Sequence, residues 1–135
     1  MVTCEGPDVD FNYRLTSKSG TLLIRDLSLG DCFWIADSGL DFSSELHVLE
    51  VLAKLIIEED YNIGDVSLVE YTSVLKLFTT EVLQGKILTP EQVLTSVYFL
   101  QGQTFSPNLH EWLAQPVSLI QQMSEIARKY PKQVL

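Results

Sequence analysis

The 135-residue sequence predicts an α+β fold that is mostly α, with a short N-terminal β-hairpin followed by a compact bundle of five or six helices. Three observations point there. Period-two alternation is confined to residues 10–26, three- and four-residue apolar spacing dominates after Leu27, and cap residues punctuate the rest of the chain. With 46% hydrophobic and 20% charged residues the chain is too apolar for disorder, and a chain of this length removes about two-thirds of its unfolded surface from water on folding. A single domain over residues 10–135 is expected, preceded by a loose segment at 1–9.

The hairpin rests on Phe11, Tyr13 and Leu15 alternating with Asn12 and Arg14, and on a second β-favouring run from Thr21 to Arg25. Ser17-Lys18-Ser19-Gly20 between them is turn chemistry. Ser28 and Asp31 cap a first helix through Phe33, Trp34 and Ile35, ended by Ser38-Gly39. A second helix begins at Asp41–Ser44 with Leu46, Leu49, Leu52, Ala53 and Ile56 on its stripe, widened by Val48, Val51 and Leu55. Glu58-Glu59-Asp60 then falls at its C-terminus, where the helix dipole disfavours anions, and reads as a solvated face rather than a paired-carboxylate site.

Ser67-Leu68-Val69-Glu70 is a capping box for a third helix with Leu68, Tyr71, Leu75, Phe78 and Val82 inward, closed by Gly85. Thr89-Pro90-Glu91-Gln92 opens a fourth, running to about Gln101. Ser106-Pro107 repeats the cap for a short helix through Leu109, Trp112 and Leu113. Pro116 starts the last, with Leu119, Ile120, Met123, Ile126 and Ala127 on one face.

The 18 acidic and 9 basic residues give a net charge of −9. Residues 1–70 hold 14 of the acids and 4 of the bases, and residues 71–135 hold 4 and 5. That balance argues against nucleic acid or an anionic membrane as partner, since both demand clustered Lys and Arg. No apolar run approaches the ~20 residues of a bilayer span, and the first residues lack the pattern of a signal peptide. Cys4 and Cys32 outline no disulfide framework, and Cys32 reads as a buried structural thiol.

His47 and His110 stand alone on separate helices, and nucleophile-elbow and phosphate-loop motifs are missing. The reading is therefore a non-enzymatic chain without cofactor or metal. Candidate partner-binding residues are Phe11 and Tyr13 of the hairpin, Phe33, Trp34, Tyr98 and Trp112 among the aromatics, and Arg128, Lys129 and Lys132 at the basic end. Adjacent aromatics point in different directions on a helix, so Phe33-Trp34 and Tyr98-Phe99 leave one member each for an interface or for a second core surface. The cations either complement the dipole of the last helix or dock on an acidic partner, including another copy's acidic half.

The stretch Tyr13 to Asp31 resembles the opening of small accessory proteins of tailed bacteriophages, the tail-assembly chaperones and small baseplate-hub assembly proteins. In that family a Leu-x-Ser-Gly-like turn joins two strands, and an Arg-x-Leu-Thr-like exit leads into helices. Here Arg25-Asp26-Leu27-Ser28 matches the exit with Ser for Thr. The resemblance implies a cytoplasmic helper in the infected host, or a subunit retained in the virion tail. Its partner would be a larger tail protein such as a tape measure or baseplate hub protein, with self-association as a further expectation. The contrasting expectation, from charge alone, is a small acidic regulator or inhibitor that mimics nucleic-acid charge and blocks a basic partner.

Overall fold

The computed structural model describes residues 2–61, 65–101 and 108–129. The chain divides into two compact units where the sequence suggested one domain. The first holds residues 1–26 and 40–85, and the second residues 27–39 and 86–135.

The first unit is built on a four-stranded antiparallel sheet in sequential order: β1 (Thr3–Glu5), β2 (Asn12–Ser17), β3 (Gly20–Arg25) and β4 (Ile56–Glu59). The expected hairpin is its centre, paired from Asn12↔Arg25 to Ser17↔Gly20. Two further strands correct the hairpin-only expectation. Within the segment expected to be loose, Thr3–Glu5 pairs with Thr16–Arg14. The turn that makes this possible is local: Asp8 Oδ1 accepts from the amides of Asp10 and Asn12, both at 2.9 Å. Phe11 takes a left-handed φ of +60°, with its carbonyl accepting from Asp26 N at 3.0 Å.

The second correction concerns Ile56–Glu59, expected to finish a helix. Helix α2 (Glu45–Leu55) stops where Ile56 turns to φ −65°, ψ 126°, and the β-branched Ile56-Ile57 pair continues as strand. Glu58, Glu59 and Asp60 thus lie at a sheet edge, and Asp60 N donates to Thr21 O at 3.2 Å.

Tyr13, Leu15, Leu22 and Ile24 occupy the buried face of the hairpin, against α2 and α3 (Leu68–Phe78). Both helices bury the expected face only in part. In α2 the buried residues are Val48, Val51, Leu52 and Leu55, whereas Leu46 is exposed. In α3 they are Glu70, Val74, Leu75 and Phe78, leaving Leu68 and Val69 more than three-quarters exposed, at 76% and 78%. Helix α3 widens into a π-helical segment, Thr79–Leu83, that buries Val82 and Leu83. Within it the Thr79 and Thr80 hydroxyls donate to the carbonyls of Leu75 and Lys76 at 2.9 Å.

The second unit contains α1 (Leu29–Ser38), α4 (Pro90–Gln101), α5 (Leu109–Leu113) and α6 (Val117–Lys129). Ser28 and Asp31 form the expected capping box, with Asp31 N donating to Ser28 Oγ at 3.1 Å and Ser28 N to Asp31 Oδ2 at 2.9 Å. Gly39, at φ +64°, closes the helix. Thr89 and Gln92 form a second reciprocal box, at 2.9 and 3.1 Å.

The Ser106-Pro107 cap lies outside the described residues. Helix α5 is capped by Asn108, whose Oδ1 accepts from Glu111 N at 2.9 Å. A strap joins the starts of α1 and α6: Leu29 N donates to Gln115 O at 3.0 Å and Val117 N to Leu27 O at 2.7 Å. Helix α6 buries Val117, Ser118, Ile120 and Ser124, so Ile126, expected inward, is exposed. Among the described residues, no helix is long and apolar enough to cross a membrane.

Candidate interaction surfaces

The candidate binding residues separate by burial. Tyr13 and Trp112 are 3% and 2% exposed, so neither presents its ring to a partner. The alternation that singled out Tyr13 places it on the inward face of β2 beside Leu15. Trp112 is the one buried residue of its short helix. Phe11, Phe33 and Trp34 are half-buried. Tyr98 is 82% exposed, which settles the side to which its half of the Tyr98-Phe99 pair points. Arg128 lies with its guanidinium 5.6 Å from the centroid of the Phe99 ring, a cation–π contact within the second unit. Lys129 is exposed, and Lys132 lies outside the described residues.

Leu94, half-exposed one turn before Tyr98, extends the same face of α4, while Val93, Val97 and Leu100 form its buried side. The sequence signal was available: Leu94 and Tyr98 are an i, i+4 pair offset from the i, i+4, i+7 triplet of the inner face. A second outward pair, Leu68-Val69, sits at the first turn of α3 in the other unit.

The most constrained polar cluster lies at the tip of the hairpin. Glu70 belongs to the Ser67 cap, and its amide does donate to Ser67 Oγ at 3.3 Å. Its carboxylate, however, turns away from the cap toward the turn between β2 and β3. Oε2 accepts from Ser19 Oγ at 2.8 Å and Oε1 from Ser19 N at 3.3 Å, which is why the capping box is only half made. Hydrogen bonds from Ser17 first, then from Ser19, hold the Glu70 carboxyl below its ordinary 4.5 in spite of the burial that opposes them.

Beside it, the Tyr61 hydroxyl lies near Ser17, buried but without a well-formed hydrogen bond. Burial is the main cause that pushes its phenol up, with the charges of Glu70 and Asp60 adding to it.

Because the Glu70 carboxyl is lowered in the folded chain, its contribution to stability is present above pH 4.5 and is lost as pH falls through the folded value. Denaturant unfolding of the native chain and of Glu70→Gln measures this. The native chain is expected to be the more stable at neutral pH, with the difference shrinking as the pH drops below 4.5. A difference that stays constant down to strong acid would assign the low-pH loss to other carboxylates.

His47 takes a structural place, its Nδ1 accepting from Asp41 N at 2.7 Å ahead of α2. Cys32 is fully buried, with its Sγ 3.5 Å from Lys86 O. Among the described residues, no three His, Cys, Asp or Glu side chains converge as a metal set would. Comparison with protein-family models, curated proteins and solved structures gives no match.

Proposed function

We propose that this chain is a non-enzymatic tail or baseplate morphogenesis protein of a tailed bacteriophage, acting by binding a larger tail protein such as a tape measure or baseplate hub. The observation that carries the reading is the hairpin over Asn12–Arg25, which runs through Asp26-Leu27 into the Ser28-capped helix. That order of elements is the one the resemblance of Tyr13–Asp31 implies. The Leu94–Tyr98 face of α4 supplies the kind of contact such a protein uses, because exposed aromatics with an apolar neighbour are enriched where binding energy concentrates.

Co-expression with the proteins encoded by the neighbouring genes is the test. A complex with a tail protein among them that survives purification supports the reading, and Tyr98→Asp is expected to weaken it by about 2 kcal/mol or more if this face is the anchor. Recovery of the chain free of every tail and baseplate component removes the reading.

The charge distribution favours a second reading, an acidic regulator that blocks a basic partner. The first unit carries 13 acidic and 5 basic residues, net −8, against 5 and 4, net −1, in the second. Binding driven by that charge is expected to fall steeply with added salt. An affinity unchanged between low and high ionic strength would leave the apolar face as the only driver.

A further inference from the structure

We propose that the β4 edge of the first unit accepts a basic, extended segment of a partner protein as a fifth strand. The inference goes beyond the tail-assembly reading and does not depend on it.

The sheet runs β1-β2-β3-β4, so among the described residues β4 is paired on one side only. Its register with β3 fixes which main-chain groups remain outward. Asp60 N donates to Thr21 O, and Leu22↔Glu59 and Leu23↔Glu58 follow in sequence. Inward and outward groups alternate along an antiparallel strand, so the amide and carbonyl of Glu59 point away from β3.

The side chains of residues 57–60 are exposed as well, including Ile57, at 48%. The register shifts between Leu23 and Ile24, so the regular part of the edge is Glu58–Asp60. The outward amide and carbonyl of Glu59 with the exposed Ile57 give what strand addition uses, a main-chain donor and acceptor for affinity and an apolar contact for register.

The chemistry of the occupant follows from Glu58, Glu59 and Asp60. Two copies meeting at this edge would set carboxylates against carboxylates, and like charges directly opposed across strands are destabilising. The acidic run therefore disfavours self-pairing while selecting Lys or Arg on an incoming strand. The net −8 of the same unit adds a field of the same sign that steers a basic segment toward it. The opposite edge, β1, is three residues long and lies against α3.

The test is an NMR titration of the uniformly 15N-labelled full chain with two hexapeptides of equal charge, one alternating lysine with valine and one alternating lysine with proline. Proline cannot donate to a ladder, so strand addition predicts that the valine peptide binds at least about tenfold more tightly. Its amide shifts should be confined to Ile56–Asp60 and their β3 partners. Glu59→Pro removes an outward donor but no bond to β3, and is expected to abolish the difference between the peptides. Glu59→Gln, which keeps the amide, should preserve it.

Should Glu59→Pro fail to fold, the comparison of the two peptides on the native chain still decides. Equal binding of both peptides, shifts spread over the acidic residues generally, shifts at another surface, or no binding would each overturn the proposal. Dimerisation of the chain through the β4 amides would overturn it in favour of a self-pairing edge. Failure here leaves the co-expression result untouched, so the two readings fall separately.

Discussion

Phe78→Ala is expected to cost about 3–5 kcal/mol, because truncating a buried phenylalanine loses its transfer free energy and leaves a cavity that surrounding elements fill only in part. Phe78 is fully buried at the end of α3, among the largest side chains wholly removed from solvent. Helix α3 packs on β1, β2 and α2. The loss is a large fraction of the ~5–15 kcal/mol by which a typical domain is stable. Urea unfolding followed by far-UV circular dichroism measures it. The midpoint should fall with little change in slope, and a loss below about 1 kcal/mol would mean that the site is not close-packed.

Gly20→Ala is the second large effect. Gly20 ends the turn between β2 and β3 at φ +146°, a conformation that side chains disfavour. An added Cβ would overlap Asp60 Oδ1 and come within 2.6 Å of Tyr61 Cδ1. Neither neighbour gives way freely: the Asp60 carboxylate accepts from Thr21 N, and the Tyr61 hydroxyl is buried at its far end.

Backbone strain of about 1–3 kcal/mol and overpacking of similar size should add to about 2–6 kcal/mol. Gly39→Ala separates the two causes. Its φ of +64° imposes the backbone cost, yet nothing lies within 4 Å of an added Cβ, so about 1–2 kcal/mol is expected there. Thermal unfolding of both variants gives the comparison, and equal losses would refute the overlap at Gly20.

What the sequence made legible was local. The Ser28–Asp31 and Thr89–Gln92 caps, the Ser17–Gly20 turn, the helix end at Gly39 and the left-handed Gly85 depend on chemistry within four residues, and all appear as their spacing predicts. Strands β1 and β4 were not legible, because each owes its existence to a partner strand. Thr3–Glu5 has no periodicity to read over three residues, and Ile56 continues the apolar spacing of α2 until pairing with Ile24 overrides it.

The faces of α2, α3 and α6 were read in part: Leu52, Leu75, Phe78, Val82 and Ile120 are inward as their spacing predicts, and others are not. Helices α2 and α3 carry more apolar residues than one face can bury, so tertiary packing chooses among them and leaves Leu46 and Leu68 outside, whereas α6 buries Ser118 and Ser124 and leaves Ile126 exposed. Among the candidate binding residues, Tyr98 could be placed only once Val93, Val97 and Leu100 had claimed the inner side of α4. Glu70 was hidden by a valid local explanation. Its cap spacing was correct, and the serine 51 residues away that takes its carboxylate leaves no trace in a window of that size.

The chain passes between its two units three times, leaving the first after Asp26, returning at Leu40 and leaving again after Gly85. Neither unit is therefore a contiguous piece of polypeptide, and no single cut yields one of them intact. During synthesis α1 emerges well before α4 and α6, the helices that complete its unit, so its apolar side must wait through the making of α2, β4 and α3. A fragment ending at Gly85 would hold every strand of the sheet and still carry that orphaned helix in its middle. An insertion or cut between Leu27 and Gly85 would therefore touch the threading of both units at once.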